Sequence, residues 1–171
     1  MGHERPLVGV SPCLLGRLVR YDGGHKHDRV VQSLAARVRW LEVCPEAGAG
    51  LGTPREPARL VQQGGGLRFV GRQTGSDFSD QLMAFIDAEV AALPWSELAG
   101  WVLKARSPSC GLGTSPRFSS VSAPEPQGSG DGLWSAALRA WDPDLPLIDE
   151  DGLADPARRE GWLAAVEARS H

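Results

Sequence analysis

Leu7-Val8-Gly9-Val10-Ser11-Pro12-Cys13 is the stretch on which the fold turns. A short apolar run stopped by Ser-Pro reads as a buried strand whose carboxyl end delivers a cysteine. The arrangement recurs twice. Trp40-Leu41-Glu42-Val43 is halted by Cys44-Pro45, and Trp101-Val102-Leu103-Lys104 runs out at Ser107-Pro108-Ser109-Cys110-Gly111. Helical stretches lie between and after these strands. Asp28 caps one helix, with Val30, Leu34 and Val38 on one face. Ser79 caps a second, in which Leu82, Phe85, Ile86, Val90 and Leu93 follow helical spacing. Leu133 to Trp141 forms a third, and Asp155-Pro156 opens a last one towards Ala168. Pro146-Leu147-Ile148 adds a short strand. Leu67-Arg68-Phe69-Val70 and Gln73-Thr74-Gly75 read as a hairpin turning at Gly71-Arg72. Gly48 to Pro57 reads as a loop, and the Ser/Pro/Gly-rich segment from Thr114 to Asp131 as a mobile one.

Strands alternating with helices predict an α/β chain: a single-domain, parallel, Rossmann-like sheet with flanking helices. Ligands of such sheets bind outside the carboxyl ends of the strands. All three cysteines follow a strand end, in Gly/Pro-rich loops, so three segments far apart in sequence are expected to meet at one sheet edge.

Composition narrows the class. The 171 residues predict one domain over 1–171, enough chain to bury about two-thirds of its unfolded surface. Three cysteines cannot all pair, and their spacing is too wide for a small secreted scaffold. No secretory apolar region or membrane-length window is evident, so the expectation is a cytoplasmic protein in a reducing compartment, without a membrane partner. Net charge is −3 with no basic run, which speaks against a nucleic-acid polymer as partner. Oligomeric state is not legible.

A lone cysteine in such a protein is commonly a small buried hydrophobe. Three cysteines, each flanked by Pro or Gly, fall one short of closing a tetrahedral or cubane metal site. A metal held by three protein ligands keeps one position open for something else. From the residues alone, a shared metal or cluster site and three unrelated thiols remain equally good readings.

Three blocks tip the balance: Ser11-Pro12-Cys13-Leu14-Leu15-Gly16 with Val19-Arg20-Tyr21-Asp22-Gly23; Cys44-Pro45-Glu46-Ala47-Gly48-Ala49-Gly50-Leu51-Gly52-Thr53-Pro54-Arg55; and Leu103-Lys104-Ala105-Arg106-Ser107-Pro108-Ser109-Cys110-Gly111. In this order they resemble the small bacterial family of unknown function that includes the thiouracil desulfidases, over about residues 7–113. The resemblance implies an oxygen-sensitive 4Fe-4S cluster, easily lost in air, bound by Cys13, Cys44 and Cys110. It also implies catalytic roles for Glu46 and Ser107, and a small thio-nucleobase as substrate. Pro12 replaces a commoner alanine and Ala49 a commoner glycine. Asp77-Phe78-Ser79 replaces an Asp-Val-Thr-like stretch, and the usual Tyr-Asp-Gly-like continuation after Gly113 is missing, which bears on the substrate more than on the chemistry.

The expected reaction is a non-redox desulfuration, 2-thiouracil to uracil with release of sulfide. An open iron acts as Lewis acid on soft sulfur and Glu46 moves a proton. Alternatives are another thiolated nucleobase or thioamide, an iron–sulfur sensor or electron carrier, and a three-cysteine zinc site. Asp22 reads equally as a pocket residue and as the Asp of an Asp-Gly turn. Lys104 and Arg106 read equally as cations serving the cluster or a substrate carbonyl and as solvated strand-end charges. Ser109 reads first as support for its own loop and second as a substrate contact. Arg55 reads first as a tie for its loop through a carboxylate and second as a substrate contact. His25 and His27 read as capping or solvent residues, and most of the six tryptophans as core.

Overall fold

The computed structural model describes residues 4–170. Its first sheet consists of β1 (Leu7–Val10), β2 (Arg39–Glu42), β5 (Leu98–Leu103) and β8 (Leu147–Asp149), in the order β2-β1-β5-β8. Every pairing in it is parallel. A parallel sheet is covered on both faces, and the side chains of β5 show it. Ala99 and Val102 join Val8 and Val10 on one side, beneath α1 (Arg29–Ser33), α5 (Glu150–Ala154) and α6 (Pro156–Arg169). Leu98, Trp101 and Leu103 join the other core, beneath α3 (Ser79–Ala92) and α4 (Leu133–Trp141). Gly9 is required where it stands, because a Cβ there would fall 2.1 Å from the Trp101 indole.

A second sheet, of mixed direction, was legible in the sequence only at Leu67–Val70, which lies within its strand Gly66–Gly71. It has the order β4-β3-β6-β7, from β3 (Ala58–Gln63), β4 (Gly66–Gly71), β6 (Ser115–Phe118) and β7 (Gly128–Gly130). Leu60 and Phe69 of this sheet pack into the same core as α3 and α4. The hairpin therefore pairs β3 with β4 and turns at Gly64-Gly65, not at Gly71-Arg72. The segment expected to be a mobile loop holds two strands, β6 and β7. The loop expected from Gly48 is entered by a one-turn helix, α2 (Pro45–Gly48).

The caps divide. Asp28 accepts the Val31 amide and Asp155 accepts those of Ala157 and Arg158, as N-caps do. Ser79 is no cap; its hydroxyl accepts the Phe69 amide at 2.7 Å and ties α3 to β4. Trp101, Trp134 and Trp162 are core, whereas Trp141 is exposed and stacks on Trp95 with ring centres 5.7 Å apart. No helix among the described residues is long and apolar enough to cross a membrane.

Candidate functional site

β2, β1 and β5 are neighbours and run the same way, so their carboxyl ends share one edge. Each is followed by a cysteine. Cys13 sits in a 3-10 turn, Pro12–Leu15, closed by Gly16 at φ 89°, a left-handed conformation that suits glycine. Cys44 is the residue before α2, and Cys110 lies at the end of the Ser107–Cys110 turn. All three line one cavity of about 400 Å³, together with Ser11, Arg20, Glu46, Arg55, Lys104, Ser107 and Ser109. None is in a disulfide.

The Cys110 turn is built in layers. The Ser107 hydroxyl accepts the amides of Ser109 at 3.2 Å and Cys110 at 3.1 Å. Beneath it lies the amino end of α4. The amides of Gly132, Leu133 and Trp134 donate to the carbonyls of Gly111, Pro108 and Ser109, and the Ser135 hydroxyl donates to Cys110 O at 2.7 Å. Gly132 is closely pressed here, since a Cβ would stand 2.5 Å from the Ser109 carbonyl. The helix amides that lack partners within α4 are thereby satisfied by the loop.

Glu46 is clamped from two sides. Arg55 Nε donates to Oε1 at 3.2 Å and Ser109 Oγ donates to Oε2 at 2.7 Å. The pair is buried, with side-chain exposures of 7% for Arg55 and 13% for Glu46. Ser107 Oγ lies 3.1 Å from Ser109 Oγ. Because Ser109 gives its proton to Glu46, Ser107 is the donor in that contact, and a hydroxyl chain runs from Ser107 through Ser109 to the carboxylate. Arg55 also donates to Val19 O, Gly52 O and Thr53 Oγ1. It ties its loop through a carboxylate, as the sequence suggested, and that carboxylate is Glu46, which spacing alone did not reveal.

Burial raises all three thiols above their ordinary range. Cys13 is pushed to about 11, with Arg20 the strongest influence pulling the other way. Cys110 is raised further, by burial again. Cys44 is raised by burial against the lowering effect of the Ala47 and Glu46 amides. A cavity that disfavours bare thiolates needs positive charge at its centre before the sulfurs can ionise. Among the described residues no three His, Cys, Asp or Glu side chains stand at the spacing of a single ion.

The other candidates separate. Lys104 lines the cavity, but its Nζ donates to Glu150 Oε1 and to Ala105 O, each at 2.7 Å. Arg106 lies at the cavity mouth and pairs with Asp151. Asp22 is exposed, accepts the Gly24 amide at 2.9 Å and is not among the cavity residues; it forms the Asp-Gly turn. His25 and His27 are exposed and bonded to each other.

Comparison with known proteins agrees with the motifs. A family model described as 2-thiouracil desulfurase matches residues 8–150. The uncharacterized protein YbbK of Bacillus subtilis (strain 168) is 30% identical over 112 residues, 63% of this chain and 74% of the relative. A solved structure, the 4Fe-4S-dependent thiouracil desulfidase TudS, superimposes with a TM-score of 0.70 at 31% identity. That match covers 92% of this chain and 98% of the other.

Proposed function

This chain belongs to the 2-thiouracil desulfurase family, and on that premise we propose that it hydrolyses a thiocarbonyl of a free pyrimidine base, 2-thiouracil plus water giving uracil, hydrosulfide and a proton. We assign Cys13, Cys44 and Cys110 as ligands of a 4Fe-4S cluster. The donor set fits: three free thiols line one cavity, the number that leaves one corner of a cube open. When bound, the cluster supplies an iron with an open position, a Lewis acid that prefers soft sulfur.

The residues supply the rest. Glu46 takes the first proton of the attacking water. Two of its lone-pair positions are occupied by Arg55 and Ser109, and an ionised carboxylate has about four, so it can still accept from water. The Ser107–Ser109 hydroxyl chain points its donors at Glu46 and so holds the carboxylate as an acceptor. Val43, Pro57 and Ala58 line the cavity with apolar surface beside these polar groups, a mixture typical of small-molecule sites. Carbon–sulfur cleavage by water needs no electron, so nothing in the scheme calls for a redox partner.

The observation that carries the reading is that Glu46 shares one cavity wall with all three cysteines, held by an arginine and a serine. An electron carrier has no use for such a carboxylate. The test is anaerobic reconstitution followed by a 2-thiouracil assay on wild type and Glu46→Gln. Wild type is expected to release uracil and sulfide in equal amounts. Glu46→Gln is expected to keep its iron and lose at least about a hundredfold in kcat, the usual contribution of a proton-transfer group. Undiminished turnover in Glu46→Gln contradicts the role of Glu46, and an iron-loaded wild type inert towards 2-thiouracil contradicts the substrate.

A further inference from the structure

The cavity wall carries five cations: Arg20, Lys26, Arg55, Lys104 and Arg106. Arg55 is spent on Glu46 and three backbone or hydroxyl oxygens. Lys104 is spent on Glu150, Arg106 on Asp151, and Lys26 is exposed. Arg20 differs from all of these. Its side chain is four-fifths buried, at 20% exposure, yet its buried Nε has no hydrogen-bond partner among the described residues. The nearest carboxylate, Asp22, lies 3.9 Å from Nε, is itself half exposed and is already bonded to the Gly24 amide. The guanidinium rests against the Tyr21 ring, 5.4 Å from its centre. It lines the same cavity as the three cysteines.

A mostly buried cation with uncommitted donors is costly unless an anion completes it. The only group of the proposed reaction that becomes anionic in this cavity and leaves it is sulfur. Guanidinium is weakly hydrated and suits a soft, diffuse anion better than an ammonium does.

We propose that Arg20 is the anion-binding residue of the cavity and holds the departing sulfur as hydrosulfide. This rests on the desulfuration reading above. The water oxygen forms the new carbon–oxygen bond, one water proton goes to Glu46 and the other to sulfur. The carbon–sulfur bond breaks with its electron pair on sulfur, and hydrosulfide leaves against Arg20. Nothing is oxidised or reduced.

The test is equilibrium binding of sodium hydrosulfide to the anaerobically reconstituted protein, read from the visible absorbance of the cluster in wild type, Arg20→Met and Arg20→Lys. Iron per chain and 2-thiouracil turnover are measured on the same samples. A charge-assisted hydrogen bond contributes about 1.5–3 kcal/mol, so Arg20→Met is expected to bind hydrosulfide at least about tenfold more weakly with iron content unchanged. Arg20→Lys is expected to recover part of the loss. Equal affinity in wild type and Arg20→Met overturns the assignment, as does a wild type that binds no hydrosulfide. Loss of iron in both variants also overturns it, by making Arg20 a cluster-retaining residue. A wild type that binds hydrosulfide through Arg20 but does not turn over 2-thiouracil leaves this assignment standing and removes the substrate reading instead.

Discussion

Glu46 and Arg55 form the ion pair on which the site's geometry depends, and burial sets what it is worth. Removing one partner from a buried pair leaves the other charged and unsolvated, at a cost of about 3–5 kcal/mol, whereas replacing both with neutral groups costs far less. Both side chains here are under 15% exposed. Arg55→Met is therefore expected to lower unfolding stability by roughly 3 kcal/mol in urea, and Arg55→Met with Glu46→Gln by clearly less. Equal losses in the single and double variants would contradict the coupling. The sequence presented Glu46 and Arg55 nine positions apart in a Gly/Pro-rich run. Nothing in that spacing says they touch, because the contact depends on how the loop from Gly48 to Arg55 folds back. The cysteines were legible for the opposite reason: each is fixed by a strand end and a Pro or Gly beside it, which local sequence reports.

At the level of elements, the amino end of α4 is the support of the third cysteine loop. Three of its amides and the Ser135 hydroxyl hold the backbone from Pro108 to Gly111. Gly132 permits the approach, so Gly132→Ala forces the Ser109 carbonyl away. Overpacking of this kind costs about 1–3 kcal/mol. Gly132→Ala is expected to lose iron-binding capacity after reconstitution more than it loses helix content by circular dichroism. Full iron loading would show that α4 is not needed to shape the loop. The same region shows where sequence reading ran out. β7 is Gly-Ser-Gly and β6 begins Ser-Pro, neither with strand propensity. β6 is a strand because β3 offers an edge to pair with, and β7 because β6 does in turn, a tertiary cause that the composition of the segment does not report. Ser79 misled for a related reason. It stands before an apolar helical run as a cap would, but its hydroxyl is claimed by the β4 backbone.

For the molecule as a whole, the parallel sheet is what turns three distant cysteines into one site. Consecutive positions in the order β2-β1-β5 put Cys44, Cys13 and Cys110 on adjoining loops of one edge. That convergence follows from alternating strands and helices, and it was the part of the fold most legible from sequence. Of the second sheet, which gives Ala58 to the cavity wall, β3, β6 and β7 were not, since short polar strands carry little periodicity; the helix α4 was legible over its whole length. The central claim is that all three sulfurs hold one cluster and that none is spare. The most direct measurement is iron bound per chain after anaerobic reconstitution, in wild type and in Cys13→Ser, Cys44→Ser and Cys110→Ser. The expectation is about four iron per wild-type chain, as a cubane contains, and a large loss in each of the three variants. A variant that keeps the wild-type iron content would contradict it.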